Sequence, residues 1–159
     1  MKGRRIARRL AVDVLYEAEI RDELPLEAFD ARSSDGWVVP APDEELDAPE
    51  KDLEDSTSAA LAYALQIVGG VQAHRTDIDA LIVKYADHWA LTRMPVVDKA
   101  LLRIALWELL WAGDIPVPVA INEAVELAKS LSTDDSGRFV NGLLGRVAEM
   151  ETPHTPSPR

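Results

Sequence analysis

Arg4, Arg5, Arg8 and Arg9 crowd the start of the chain, and no acidic residue stands among residues 1–9. On a helix, residues four apart share a face, so Arg4 lines up with Arg8 and Arg5 with Arg9. The spacing therefore predicts one cationic surface around the first turns. Cations at a helix N-terminus oppose the helix dipole, which makes the placement costly for structure alone. Its chemistry would be contact with phosphate, each contact adding salt dependence to binding. A solubilising charged face is the other reading, and on pattern alone both stay open. Tyr16 lies further along the same predicted helix, either as a boundary aromatic or as a platform for an unpaired base. Arg138 and Phe139, near the start of the last predicted helix, could again pair phosphate contact with stacking. Asp134 and Asp135 beside them suit the positive end of that helix and are expected to cap it.

Nothing in the sequence points to catalysis. There is no cysteine, which excludes thiol chemistry, thiolate metal sites and disulfides. His74, His88 and His154 are far apart and sit in no metal or nucleophile motif. With 28 acidic residues in the chain, a neighbouring pair of carboxylates carries little information. No phosphate-cradling glycine loop follows a strand, because no segment shows strand alternation. No cofactor is expected. Arg103 and Glu108 interrupt the most apolar stretch, so no membrane span is expected. The basic N-terminus lacks the apolar stretch and cleavage site of a signal peptide, and cytoplasmic residence is the default expectation. A net charge of −11 argues against indiscriminate nucleic-acid binding. All the acids lie beyond residue 9, so a small cationic patch sits on an anionic body suited to a basic partner.

The elements that must position these residues read as helices throughout. Apolar residues at helical spacing (Ile6, Leu10, Val14, Ala18) predict a first helix over 4–21. Pro25 opens a short second helix over 25–31. Residues 32–55 carry Gly36, three prolines and a run of Asp and Glu from Asp43 to Asp55 against one base, Lys51. Most of this segment reads as a mobile acidic loop, with Trp37, Val38 and Val39 available to dock on the body. Ser56 or Thr57 is a candidate cap for a helical region over 57–86. Gly69-Gly70 allows close packing or a bend there, and Thr76 is an alternative start for a separate segment. Pro95 opens a helix to about Ala112 that is apolar on nearly every face, the mark of a central core helix. Its only charges are Asp98, Lys99, Arg103 and Glu108; Lys99 and Arg103 share a face, and Arg103 needs an internal acid. Trp89, Trp107 and Trp111 are expected in the core. Pro118 opens a helix with the stripe Ile121, Ala124, Val125, Ala128 and Leu131, and Ser132 to Ser136 form a turn and cap. The last helix runs to about Met150, with Gly142 and Gly145 expected in tight packing and Asn141 as a buried amide. Residues 151–159 contain three prolines and are expected to be a disordered tail. The sum is an all-α fold: residues 1–150 as one compact bundle of about six or seven helices.

Three blocks together resemble the NusB transcription antitermination family: GRRIARRLAVDVLYEAE (3–19), VVDKALLRIALWELL (96–110) and IPVPVAINEAVELAKSLSTDDSGRFVNGLLGRV (115–147). The third is the most specific. The resemblance covers nearly the whole chain apart from the acidic loop and the tail. It implies two helical subdomains and a non-catalytic scaffold without a cofactor. It implies partnership with NusE, also a small-subunit ribosomal protein, and joint binding of boxA RNA in ribosomal RNA leaders. Other Nus factors and RNA polymerase would complete the assembly. Family RNA contacts map onto Arg4, Arg5, Arg8, Arg9, Tyr16, Arg138 and Phe139. Asp98 matches an acidic position of the NusE contact, and Asp135 a position whose change alters assembly. Arg9 and Ile6 depart from the family pattern. Some relatives form homodimers that bury the RNA surface, and the resemblance leaves monomer and homodimer open.

Two other readings compete. A similar helical domain precedes the catalytic domain of ribosomal RNA cytosine methyltransferases, but this chain has no nucleotide-binding sheet to transfer a methyl group. A purely protein-binding module, whose arm never meets RNA, is separated from the main reading by salt-dependent RNA binding.

Overall fold

In the computed structural model of the chain, residues 2–37 and 50–151 are described. Among them are seven α-helices: α1 (Lys2–Arg21), α2 (Pro25–Ser34), α3 (Glu50–Ala73), α4 (Arg75–Tyr85), α5 (Val96–Leu110), α6 (Val117–Leu131) and α7 (Asp134–Glu151). A 3₁₀ turn at Leu91–Arg93 lies between α4 and α5. Helices α1, α2 and α3 pack on one another, α6 packs on α7, and α5 touches α1, α3, α4, α6 and α7. The two expected subdomains thus share α5 as a common wall. That role explains its composition, since every residue from Asp98 to Glu108 is buried.

The helix ends follow local chemistry. Helix α1 ends in a Schellman turn: Glu23 N–H reaches Ala18 O at 2.8 Å and Asp22 N–H reaches Glu19 O at 3.3 Å. Asp22 takes the left-handed conformation there, φ 53°, where glycine is the commoner choice. Pro25 fills the first position of α2. The free N–H of Leu26 is taken by Gln72 Oε1 of α3 at 2.9 Å, so a neighbouring helix supplies the missing cap. Gly113, φ 83°, turns the chain after α5.

Several boundaries differ from the sequence expectations. Helix α3 begins at Glu50, so Ser56 and Thr57 lie inside it and not at its start. The acidic loop is correspondingly shorter, α2 extending to Ser34 before it. Its centre, with Val38 and Val39, lies outside the described residues. Trp37 does dock on the body, edge-on to Phe29 at 5.4 Å. The break between α3 and α4 falls at His74, and Thr76 is an interior residue of α4. Thr133 rather than an acid caps α7, its Oγ1 accepting Ser136 N–H at 3.0 Å. Asp134 and Asp135 occupy the first turn. Glu151 belongs to α7, and the remainder of the expected tail lies outside the described residues.

The glycines divide by physical role. At Gly70 a Cβ would stand 2.0 Å from Trp107 Nε1, so α3 approaches α5 closely there because no side chain intervenes. Gly142 and Gly145 are exposed, and a Cβ on either would meet nothing within 4 Å, which overturns the tight packing expected of them. Asn141 is likewise exposed, not a buried amide, because α7 turns Val140, Leu143, Leu144 and Val147 inward instead.

Replacing Gly142 or Gly145 with alanine is therefore expected to raise stability by about 0.5–1 kcal/mol each, from backbone entropy alone. Gly70→Ala should lower it by about 1–3 kcal/mol, because the buried Trp107 ring must shift. Urea unfolding of the three variants checks both signs.

Candidate nucleic-acid interface

Helix α1 turns about 100° per residue, so the four arginines of its first turns cannot all face one way. Arg8 falls on the side that buries Ala7 and Ala11 and is itself only 4% exposed. Its Nε and Nη2 donate to Glu108 Oε1 and Oε2 at 2.8 and 2.9 Å, a bidentate pair between α1 and α5. Tyr63 of α3 donates its hydroxyl to Glu108 Oε2 at 2.6 Å. Burial alone would lower the Arg8 pKa, but the hydrogen bond and attraction of Glu108 outweigh it and raise it. Burial and the bond to Glu108 both push the Tyr63 phenol well above its ordinary range. Arg8 is thus a structural cation and not part of the accessible patch, contrary to the sequence expectation.

The other three arginines are accessible to different degrees. Arg4 is half-buried; its guanidinium lies 4.6 Å over the Tyr63 ring and its Nη2 donates to Asp114 at 3.0 Å. Arg5 is exposed and donates through Nε to Glu123 Oε1 at 3.1 Å. Arg9 is exposed. Burial raises the pKa of nearby Asp13, and the charges of Arg9 and Arg32 partly offset that rise. Tyr16 is 44% exposed. Seven residues is close to two turns, so Tyr16 stands on the Arg9 side of α1, about 10 Å further along. Arg5, Arg9 and Tyr16 therefore form a strip with cations at one end and an accessible ring at the other.

A second aromatic group lies at the start of α7. Phe139 is half-buried and meets Trp89 edge-on at 4.7 Å. Trp89 is 37% exposed and is not the core residue that the sequence suggested. It sits on the connection after α4, whose backbone takes positive φ at Asp87 and His88, and this turn swings the ring outward. Arg138 is exposed and paired with the neighbouring Asp135. Helices α1 and α7 both rest on α5, which carries the two aromatic regions on one scaffold.

The partner-binding pair splits in two. Asp135 is exposed. Asp98 is only 1% exposed, so it cannot offer its carboxylate directly to a partner, which corrects the expectation of a contact residue. Its Oδ2 accepts Ser136 Oγ at 2.9 Å, and Oδ1 is buried without a hydrogen-bond partner. Ser136 also meets Thr133 Oγ1 at 3.1 Å and Ser132 Oγ at 3.0 Å. Asp98 consequently fixes the start of α7, and with it Asp135, Arg138 and Phe139.

Arg103 finds the internal acid its position demanded. Its Nε and Nη2 donate to Asp79 of α4 at 2.9 and 3.3 Å, and Nη1 to Glu19 of α1 at 3.2 Å. Lys99 joins from the same face, 2.8 Å from Glu19 Oε1. Burial pushes the Glu19 carboxyl up, but Lys99 and Arg103 outweigh it and hold it below its ordinary value. Nothing in the sequence marked Tyr63, Asp79, Asp114 or Glu123, because each acts on a residue distant in the chain. Among the described residues, no group of three or more His, Cys, Asp or Glu is placed to hold a metal. No helix among them is long and apolar enough to cross a membrane.

Guanidinium groups and accessible rings on a frame of internally paired charges define an all-α binding protein. The chain belongs to the NusB family, whose profile matches residues 5–149. It is similar to the transcription antitermination protein NusB of Salinispora arenicola, 46% identical over 152 residues that span 96% of this chain and 99% of that protein. The corresponding protein of Saccharopolyspora erythraea is 46% identical over 149 residues, 93% of this chain and 88% of that one. Among solved structures, T. maritima NusB superposes with a TM-score of 0.70 at 34% identity, covering 94% of this chain and 93% of its own. NusB in a crystal structure of antitermination factors NusB and NusE in complex with dsRNA gives 0.70 at 28% identity, covering 94% and 98%. The family comprises non-catalytic transcription antitermination factors.

Glu108→Gln leaves the buried Arg8 charge with only the more distant Glu123, 4.0 Å away, and is expected to cost about 3 kcal/mol in urea unfolding. A triple variant with apolar side chains, Arg8→Met, Glu108→Leu and Tyr63→Phe, should recover most of that loss. The depressed pKa of Glu19 predicts a pH effect. Its stabilisation is complete above its unfolded value of 4.5 and is lost as pH falls through the lower folded value. Glu19→Gln should therefore flatten the acid limb of a stability-against-pH series below 4.5, while lowering stability near neutrality.

Proposed function

We propose that this protein supports ribosomal RNA transcription by binding boxA RNA together with NusE, holding both near RNA polymerase with other Nus factors in the cytoplasm. The observation that carries the reading is the exposed strip on α1, with Arg5 and Arg9 at one end and Tyr16 at the other. Charge on such a strip attracts the phosphate backbone without regard to sequence, and an accessible ring adds stacking to unpaired bases. Arg4 extends the cationic end, while Arg138 and Phe139 offer a second contact region at the start of α7. Asp135 is the candidate partner contact, with Asp98 acting behind it through Ser136. The related NusB captured with NusE and double-stranded RNA supports the same pairing for this chain. The net charge of −11 favours encounter with a basic ribosomal protein. No bond is made or broken: the chemistry is simultaneous binding.

A labelled boxA RNA and a scrambled control, titrated with and without NusE across a salt series, test the proposal. Preferential binding enhanced by NusE is expected. No preference under any condition, in folded protein, would leave a protein-binding module instead. Replacing Arg4, Arg5 and Arg9 together by alanine should reduce the salt slope by roughly 0.7 for each of them that contacts a phosphate of a single strand. Arg8 is left in place because its loss would disturb the core.

A further inference from the structure

Two of the three accessible arginines are already engaged by anions of the same chain. Arg4 donates to Asp114 at 3.0 Å and Arg5 to Glu123 at 3.1 Å. The acids come from one neighbourhood: Asp114 on the connection between α5 and α6, Glu123 on α6. Asp114 balances no buried charge. The buried Arg8 is held bidentately by Glu108, and Glu123, 4.0 Å from it, adds a weaker attraction. Ion pairs with an exposed member contribute little to stability. The Arg5 side chain is 74% exposed and the Asp114 side chain 61%, so both pairs have such a member. The hydrogen bond from Arg4 holds the Asp114 carboxyl below its ordinary value.

For a phosphate the consequence is direct. Opposite charges in contact attract weakly in water and more strongly near a protein surface. A phosphate approaching Arg4 or Arg5 therefore meets an attraction reduced by the carboxylate already present, and one N–H of each guanidinium is taken. We propose that Asp114 and Glu123 are internal counter-anions that limit how strongly the α1 arginines bind RNA phosphate. They hold the guanidinium groups in place while keeping the sequence-independent part of the affinity low. The inference rests on the RNA-binding reading above.

The test uses the full chain with Asp114→Asn, Glu123→Gln and both together. These substitutions keep side-chain shape and remove charge. Asp114→Asn lies at an exposed site, so its result stands even if Glu123→Gln disturbs the fold, which circular dichroism and urea unfolding monitor. The probes are boxA RNA and inorganic polyphosphate, which carries phosphate charge and no bases. Each substitution is expected to tighten binding of both probes about two- to fivefold at low salt, with the gain fading as salt rises. The salt slope for RNA should steepen by about 0.7 for each arginine that gains a phosphate. Unchanged or weaker binding of both probes in folded variants overturns the inference while wild-type RNA binding leaves the functional reading intact. If wild-type protein binds no RNA even with NusE, the functional reading fails. Polyphosphate then decides the counter-anion role alone: tighter binding by the variants supports it and unchanged binding overturns it.

Discussion

Removing two charges from water costs more than their attraction returns unless the geometry is nearly ideal and every remaining polar atom finds a partner. The pair between Arg8 and Glu108 meets that demand: both carboxylate oxygens are engaged by the guanidinium and the Tyr63 hydroxyl takes one of them as well. The arrangement joins α1, α5 and α3 at one point and admits only one rotation of α1. A rotated α1 would leave Glu108 bare inside the protein. The outward placement of Arg5 and Arg9 is therefore a consequence of where Arg8 must be. The cationic strip is positioned by the one arginine that does not belong to it.

The other end of α1 is held in the same way. Glu19 meets Lys99 and Arg103 of α5, and Arg103 passes the connection on to Asp79 of α4. Arg8 and Glu19 are separated by about three helical turns, roughly 16 Å, so α1 is pinned along its length and not merely at one end. The third link on α5, Asp98 to Ser136, sets the start of α7. All four charged residues of this otherwise apolar helix thus orient a neighbouring element. The apolar faces supply most of the burial energy, but non-directional contacts tolerate rotation and sliding. Bidentate and hydrogen-bonded pairs do not, which is why the charges decide the geometry of the binding face.

Charge also has a second use at the surface. An anionic protein that binds RNA needs a local cationic region, and the exposed Arg5 and Arg9 are the cations that α1 offers for one. The acids of α6 and its preceding turn lie within hydrogen-bonding distance of that region. The same residue types therefore form a fixed clamp where water is excluded and solvent-facing ion pairs where it is not.

The sequence by itself determined the helical class, the order of the elements and the central place of α5, because apolar periodicity and prolines are local signals. The family was legible too, since its three blocks keep the same residues at the same spacing. Periodicity could not locate the start of α3, where charged residues carry a helix without an apolar stripe. Nor could it show that Trp89, Asn141, Gly142 and Gly145 face outward, because each has an apolar residue beside it in the chain and only packing chooses the buried side. Four arginines in the first turns of a helix look alike in sequence. Which of them can meet a ligand was decided by Glu108, a hundred residues away, through a buried hydrogen-bonded pair that only the tertiary structure brings together.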